Sequence, residues 1–447
     1  MTLIPRARTA RSGAVLSTFA VATIALAGCG SGSGDSSSAS SGGSSGSGDT
    51  VTVLMEEISF TDNIKSMISD FQDQTGITVK LETVPYADQS SRILQEFAQG
   101  SGTYDVVFND NTYGPGYFKS GYVEDLTSYA SADDQFGTLD DFYAPYLAPM
   151  TQDGATFGVP VYGESTWLMY RKDLFEQYGI SAPPATTDEL LADAKTITEG
   201  SGGDVAGISM RGMAGIHAVY PWAGILRSFG GSFYDADGNL AIDSDAAVEA
   251  TEYWAELLNN YGPPGVGNFD WEQNRIAFTQ GKVAMTIDAT ANGPYNEDAS
   301  SSTVAGKVGY APIPYAAGVT PGDNTNNSLN VHALYMNANS SHKEAAWKFM
   351  SWATSEAVQQ HAVETVEAVG VTNEAVLTGD AYKEKYGAFQ ESVMAQLSTG
   401  NVAYLPTGDD ANVVIENVGQ ALSEVLSGQN SAANALSTAA KNISANG

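Results

Sequence analysis

From residue 50 onward, short apolar runs of two different periods alternate along the chain. Val51-Thr52-Val53-Leu54-Met55 reads as a strand. Ile64, Met67, Ile68 and Phe71 then recur at i, i+3, i+4 and i+7, the signature of a helix with one buried face. Gly76 ends that helix, and Ile77, Val79 and Leu81 alternate with polar residues as in a half-buried strand. A second helical stretch carries Ile93, Leu94 and Phe97 and closes at Gly100-Ser101-Gly102; Tyr104-Asp105-Val106-Val107-Phe108 follows as a buried strand. Strand, helix, strand, helix, strand implies a parallel sheet covered by helices, and such sheets bind ligands beyond the carboxyl ends of their strands. Here those ends supply Glu56, Glu57, Asn109 and Asp110.

The style continues. Thr186 and Glu189 form a capping box ahead of Leu190, Leu191, Ala194 and Ile197. A helix after Asp243 turns Val248, Thr251, Trp254, Ala255 and Leu258 inward and stops at Gly262-Pro263-Pro264. Later helices are predicted over 345–353 and from about 413 to 426. One α/β class therefore covers the chain after residue 50, with no internal repeat, and its roughly 400 residues exceed one ordinary core and predict two lobes.

The pattern before residue 50 is different. Arg6, Arg8 and Arg11 precede an uncharged run of small and apolar residues, 13–27, too short for a comfortable membrane span. It ends in Leu26-Ala27-Gly28-Cys29, which resembles the lipobox of bacterial lipoproteins, where cleavage precedes a cysteine that takes a diacylglycerol. Cys29 is the only cysteine in the chain, as suits an exported protein without disulfides. The alternative is an ordinary signal peptide with an incidental cysteine. Residues 30–49 are almost all Gly and Ser, a flexible tether with a reach of roughly 25 Å. The expected organisation is a lipoprotein signal peptide at 1–28 and a lipidated Cys29 with its tether at 29–49.

Charge narrows the partners. The chain carries a net −32, and −35 once residues 1–28, with three Arg and no acid, are removed. So acidic a surface argues against nucleic acid and against adsorption to anionic lipid. The 22 Tyr and 6 Trp would suit a sugar-binding cleft but are equally ordinary core residues. Catalytic signatures are missing: none of the four histidines (His217, His332, His342, His361) accompanies a nucleophile elbow, no zinc spacing occurs, and no phosphate-cradling Gly-Lys-Ser/Thr is present. Asp235-Ala236-Asp237-Gly238-Asn239 opens like a calcium loop, but Leu240 and Ala246 stand where Gly and Glu are needed, so an Asx-capped turn is expected. No cofactor or metal is predicted.

Four stretches carry a resemblance: YDVVFNDNTYGPGYFKSGYVEDLTSY at 104–129, FGVPVYGESTWLMYRKDLFEQY at 157–178, FTQGKVAMTIDAT at 278–290 and KEAAWKFMSWATS at 343–355. In this order and spacing, and with the tail at 428–443, the chain resembles the extracellular solute-binding proteins of ABC sugar importers, the maltose-binding-like class. Tyr162–Ser165, Tyr170–Asp173, Gly207–Gly212, Phe229–Gly231, Tyr261–Gly265 and Ile287–Thr290 are similar to motifs of the sorbitol/mannitol polyol-binding branch. Met213–His217 and Asn330–His332 depart from that branch.

The resemblance implies a two-lobed periplasmic-binding-protein fold with hinge crossovers near 160, 288 and 337 and a central cleft, lobe 1 comprising 50–160 plus 289–337 and lobe 2 comprising 161–288 plus 338–447. It implies a monomeric, non-enzymatic binding protein, lipid-anchored outside the cell, that passes a carbohydrate or polyol to ABC permease subunits. A hydroxyl-rich ligand needs carboxylate acceptors, a guanidinium fork and flat apolar faces. The candidates are Glu57, Asn109, Asp110, Tyr162, Glu164, Arg211, Trp222, Trp271, Asp288 and His332. For each the alternative is a structural role: turn-forming Asx at Asn109 and Asp110, a surface or capping acid at Glu164, an ion pair within one lobe at Arg211, a hinge cap at Asp288, core packing for Trp222 and Trp271. A surface glycoside hydrolase and a carbohydrate-sensing lipoprotein are the competing functions.

Overall fold

The structure is a computed structural model describing residues 49–446 other than Glu367, Ala388 and Asp409. The expected signal peptide, Cys29 and the expected tether up to residue 48 lie outside the described residues.

Nine strands build two sheets: β1 (Thr50–Glu56), β2 (Thr78–Val84), β3 (Val106–Asp110), β4 (Val159–Glu164), β5 (Thr166–Arg171), β6 (Ala206–Ser209), β7 (Val283–Ala289), β8 (Val308–Ala311) and β9 (Asn330–Met336). The first sheet has the order β2-β1-β3-β9-β4 and the second β8-β5-β7-β6. Parallel pairing of β1 with β2 and β3 gives the predicted strand–helix–strand unit. β9 runs antiparallel to both β3 and β4. Strand position explains the sequence periods. Central β3 is buried throughout, so its run is continuously apolar until its last two residues, whereas edge strand β2 exposes Thr78, Lys80 and Glu82 in alternation. Pro160 offers no N–H to β9, and the β9–β4 register slips between His332 and Ala333 at this point.

The longer helices are α1 (Ser59–Thr75), α2 (Tyr86–Gln99), α3 (Thr187–Gly200), α4 (Ile216–Ser228), α5 (Asp245–Tyr261), α6 (Trp271–Thr279), α7 (Lys343–Ala353), α8 (Glu356–Thr365), α9 (Ala411–Leu426) and α10 (Ala432–Asn446). α1 buries Phe60, Ile64 and Phe71 and ends at left-handed Gly76, whose N–H reaches the Gln72 carbonyl. α4 is buried from His217 to Ser228, packed between α5 and α9, so it shows no amphipathic stripe. At the start of α3, Thr186 Oγ1 accepts from Glu189 N (3.2 Å), but the Glu189 carboxylate caps Ala185 N (2.7 Å), one residue earlier than a strict capping box. Asp235 forms the expected Asx turn, accepting from Asp237 N and Asn239 N.

The division of the chain corrects the lobe ranges. β4 leads into β5 through Ser165, so the first crossing falls near its expected place. The chain does not leave the second sheet after Asp288. It continues to β8, which pairs antiparallel with β5 and completes that sheet, and it crosses only between Ala311 and Asn330. Likewise α7 and α8 pack on β1, β9 and α1 of the first lobe, and α9 and α10 on α4 and α5 of the second. The last crossing therefore lies between α8 and α9, not near 337. The unclaimed edge of β5 and the apolar faces of α7 and α8 decide this, and both are long-range partnerships.

Candidate functional site

The facing ends of the two sheets line a cleft that is open to solvent. From the first lobe come Glu56 at the end of β1, Tyr162 and Glu164 at the end of β4, and Asn330 and His332 at the start of β9. These share one rim because β9 runs antiparallel, pairing Asn330 with Glu164 and His332 with Tyr162. Tyr86, at the first turn of α2, and Phe60 of α1 complete this wall. The second lobe contributes Arg211, two residues past β6, with Tyr220 of α4, Trp271 of α6 and Tyr295.

One wall is a column of rings. Phe60 stacks on Tyr162 at 5.2 Å and 16°, and Tyr162 stacks on His332 at 4.1 Å and 13°. Opposite it, Arg211 lies over the Tyr220 ring at 4.7 Å. The Arg211 Nε donates to Asp288 Oδ1 and Oδ2 at 3.0 and 3.1 Å, and its Nη2 donates to Oδ1 as well. Asn274 Nδ2 and Ala289 N, each at 2.7 Å, satisfy the rest of that carboxylate. Burial alone would lower the Arg211 pKa, but the charge and hydrogen bonds of Asp288 push it up. The guanidinium is thus permanently charged, locally neutralised and held as a rigid fork.

The carboxyls facing it behave differently. Burial pushes Glu164 up to about 7, against the opposing pull of Arg211 and of the Tyr220 hydroxyl that donates to it at 3.0 Å. Burial, then the like charges of Glu164 and Asp110, push Glu56 up to about 8. Burial, aided by Arg211, drops His332 to about 3 and His217 to about 4, so both imidazoles stay neutral. Near neutral pH the cleft presents a guanidinium neutralised by Asp288, a Glu56 carboxyl that keeps its proton, a Glu164 carboxyl close to its midpoint, neutral imidazole and aromatic faces. Among the described residues no cluster of three or more His, Cys, Asp or Glu is arranged to hold a metal.

Of the ten sequence candidates, Tyr162, Glu164, Arg211, Trp271 and His332 line the cleft. The other five do not. Asp288 is fully buried behind Arg211 and positions it. Asp110 is fully buried behind Tyr86, accepting its hydroxyl at 3.0 Å and Thr112 N at 2.9 Å. Asn109 shapes the same turn, donating to Tyr117 Oη and accepting from Asp110 N. Trp222 is core: its Nε1 donates to Thr251 Oγ1 at 3.0 Å, tying α4 to α5. Glu57 is exposed, and the neighbouring strand-end acid, Glu56, is the one in the cleft. Sequence reasoning also missed Tyr86, Tyr220, Tyr295 and Asn330. Strand-end position was a usable signal for Glu56 and Asn330, but nothing in the sequence separates Tyr220 from the core tyrosines.

The chain matches the family model of the bacterial extracellular solute-binding protein over residues 57–360. It is 28% identical over 334 residues to the erythritol/L-threitol-binding protein of Mycolicibacterium smegmatis, across 70% of this chain and 68% of that one. The ABC transporter solute-binding protein of Agrobacterium radiobacter K84, solved in complex with ribitol, superposes with a TM-score of 0.81 at 27% identity, covering 89% of this chain and 98% of that one. The counterpart from Agrobacterium vitis S4, with bound D-mannitol, superposes equally well (TM-score 0.81, 26% identity, the same coverage). With a family match over residues 57–360 and a fold shared across 89% of its length, the chain belongs to the bacterial extracellular solute-binding proteins.

Proposed function

We propose that this protein captures an uncharged polyol or sugar in the cleft between its lobes and delivers it, unaltered, to an ABC transporter. The observation that carries this reading is the cleft's composition: a stacked aromatic wall, carboxyl groups pushed toward neutrality by burial, and one guanidinium already neutralised by Asp288. An anionic ligand would find no unspent cation there, whereas hydroxyl groups would find both donors and acceptors and a flat face for the carbon chain. Relatives that take erythritol, ribitol and mannitol favour a polyol of four to six carbons. Tyr162, Glu164, Arg211, Trp271 and His332 contact the ligand in this reading, joined by Glu56, Tyr86, Tyr220 and Asn330. Cys29 carries the lipid that holds the protein at the outer face of the cell membrane, and permease subunits receive the loaded, closed form.

A thermal-shift and calorimetric panel of erythritol, ribitol, D-mannitol, sorbitol, glucose and maltose tests this. Saturable binding of at least one polyol with no chemical change in it is expected. Arg211→Ala and Glu164→Ala each remove a charge-assisted hydrogen bond and should weaken binding by about 1.5–3 kcal/mol. Release of reducing sugar from a glycoside would instead support a hydrolase.

A further inference from the structure

Glu56 is 5% exposed and His332 2% exposed, and both line the cleft. Glu56 Oε2 and His332 Nδ1 each lack a hydrogen-bond partner among the described residues, yet they face one another at 3.6 Å. The other ring nitrogen, His332 Nε2, is held by the Asn330 side-chain amide at 3.0 Å. With that amide donating, the single proton of the neutral imidazole sits on Nδ1 and points at Oε2. A proton on the Glu56 carboxyl then belongs on Oε1, away from His332. We propose that Glu56 serves the cleft as a neutral carboxylic acid, oriented by His332 and Asn330, that donates a hydrogen bond to the bound solute and loses this donor in alkaline medium. The proposal rests on reading the cleft as the solute site.

The surroundings of Glu56 favour the neutral form. A buried carboxylate needs a counter-ion or several donors. Arg211, the cleft's guanidinium, is committed to Asp288. The other groups facing Glu56 are Asp110 of β3, Glu164 and Tyr162 of β4, Tyr86 of α2 and His332 of β9. Two of these are acids, which repel its ionised form; β2 places Val84 opposite it, and α1 brings Ser59 and Phe60, neither of them a cation, to the same cleft. Each solute hydroxyl both donates and accepts, and a neutral carboxyl matches both roles, whereas a carboxylate only accepts. His332 and His217 are neutral well below pH 6, and burial keeps the Tyr86, Tyr162 and Tyr220 hydroxyls protonated well above pH 10. Glu56 and Glu164 are therefore the cleft groups that titrate between about pH 6 and 9.

Two measurements on the full chain test this. In the ligand-free protein, ¹³C NMR of labelled glutamate carboxyls should show a resonance, absent from Glu56→Gln, that titrates above pH 7, and ¹⁵N NMR should show His332 as its Nδ1–H tautomer. Calorimetry with ribitol and D-mannitol from about pH 6 to about pH 9.5 should show affinity falling above pH 8, toward about tenfold per unit. Glu56→Gln, which keeps a donor at every pH, should flatten that fall, and Glu164→Gln should leave it in place. Titration of Glu56 in the ordinary range of about 4–5, an Nε2–H tautomer, or pH-independent affinity would each overturn the proposal. If neither polyol binds while Glu56 titrates above pH 7, the protonation assignment stands and the polyol reading fails instead.

Discussion

At the scale of the residue, the cleft depends on second-layer side chains. Arg211 touches the cleft, but Asp288 determines its direction, and Asn274 and Ala289 N hold Asp288. Replacing Arg211 by Met leaves a fully buried carboxylate without its cation. The expected loss is about 3–5 kcal/mol of folding stability in urea denaturation, partly recovered when Asp288→Asn is added; additive losses in the two single variants would count against coupling. The raised carboxyls have their own signature. Glu56 binds its proton up to about pH 8 in the folded chain but only to about 4.3 when unfolded. Between those values the native state keeps a proton that the unfolded chain releases, so stability falls as pH rises. Glu164 acts in the same direction up to about 7. Stability of the ligand-free protein should therefore fall between about pH 5 and 8, and Glu56→Gln should make that slope shallower.

At the scale of the element, close backbone approaches set the geometry that side chains exploit. Gly207 on β6 passes so near α3 that a Cβ would lie 2.1 Å from the Ala194 carbonyl oxygen. Main chain cannot rotate aside as a side chain can, so Gly207→Ala forces β6 and α3 apart. It should cost about 1–3 kcal/mol or more, read as a lowered melting temperature, and it should weaken solute binding because Arg211 follows β6 directly. A variant as stable as the parent would mean that α3 is free to move. Pro160 plays the complementary part: lacking an N–H, it sits where the β9–β4 register slips, between the paired Asn330–Glu164 and His332–Tyr162 ends and the rest of the ladder.

At the scale of the whole molecule, three passages join the lobes and are tied to one another. Ser165 and Thr290 exchange hydrogen bonds at 2.7 and 3.0 Å, Ser328 N donates to Thr166 Oγ1, and Leu329 and Asn401 pair through main chain. Arg227, buried with no carboxylate partner among the described residues, donates to the Ala403 and Ala223 carbonyls and lies near the rings of Tyr404 and Phe233. Tyr404 in turn donates to the Tyr220 carbonyl at 2.7 Å, linking the last passage to the cleft. A junction braced in this way suits closure by a hinge between the lobes, as in other two-lobed binding proteins. Small-angle scattering should show a smaller radius of gyration on saturation with a bound polyol, and an unchanged radius would mean that capture needs no closure.

The periods of apolar residues, the caps and the glycine stops determined the elements themselves: β1 to β3, α1, α3 and α5 stand where the sequence predicts them, because these signals act within a few residues. Strand ends likewise pointed to the cleft through Glu164 and Arg211, and the need for flat apolar faces pointed to it through Tyr162 and Trp271. What the chain could not disclose locally was partnership across it. Only tertiary structure decided that β8 closes the second sheet, that Glu56 and not Glu57 faces the cleft, and that Asp288 and Asp110 stand one layer behind it. Those outcomes depend on strand pairing between residues distant in sequence, more than a hundred positions for β8 with β5, and on which polar groups lose their water. A sequence window contains neither.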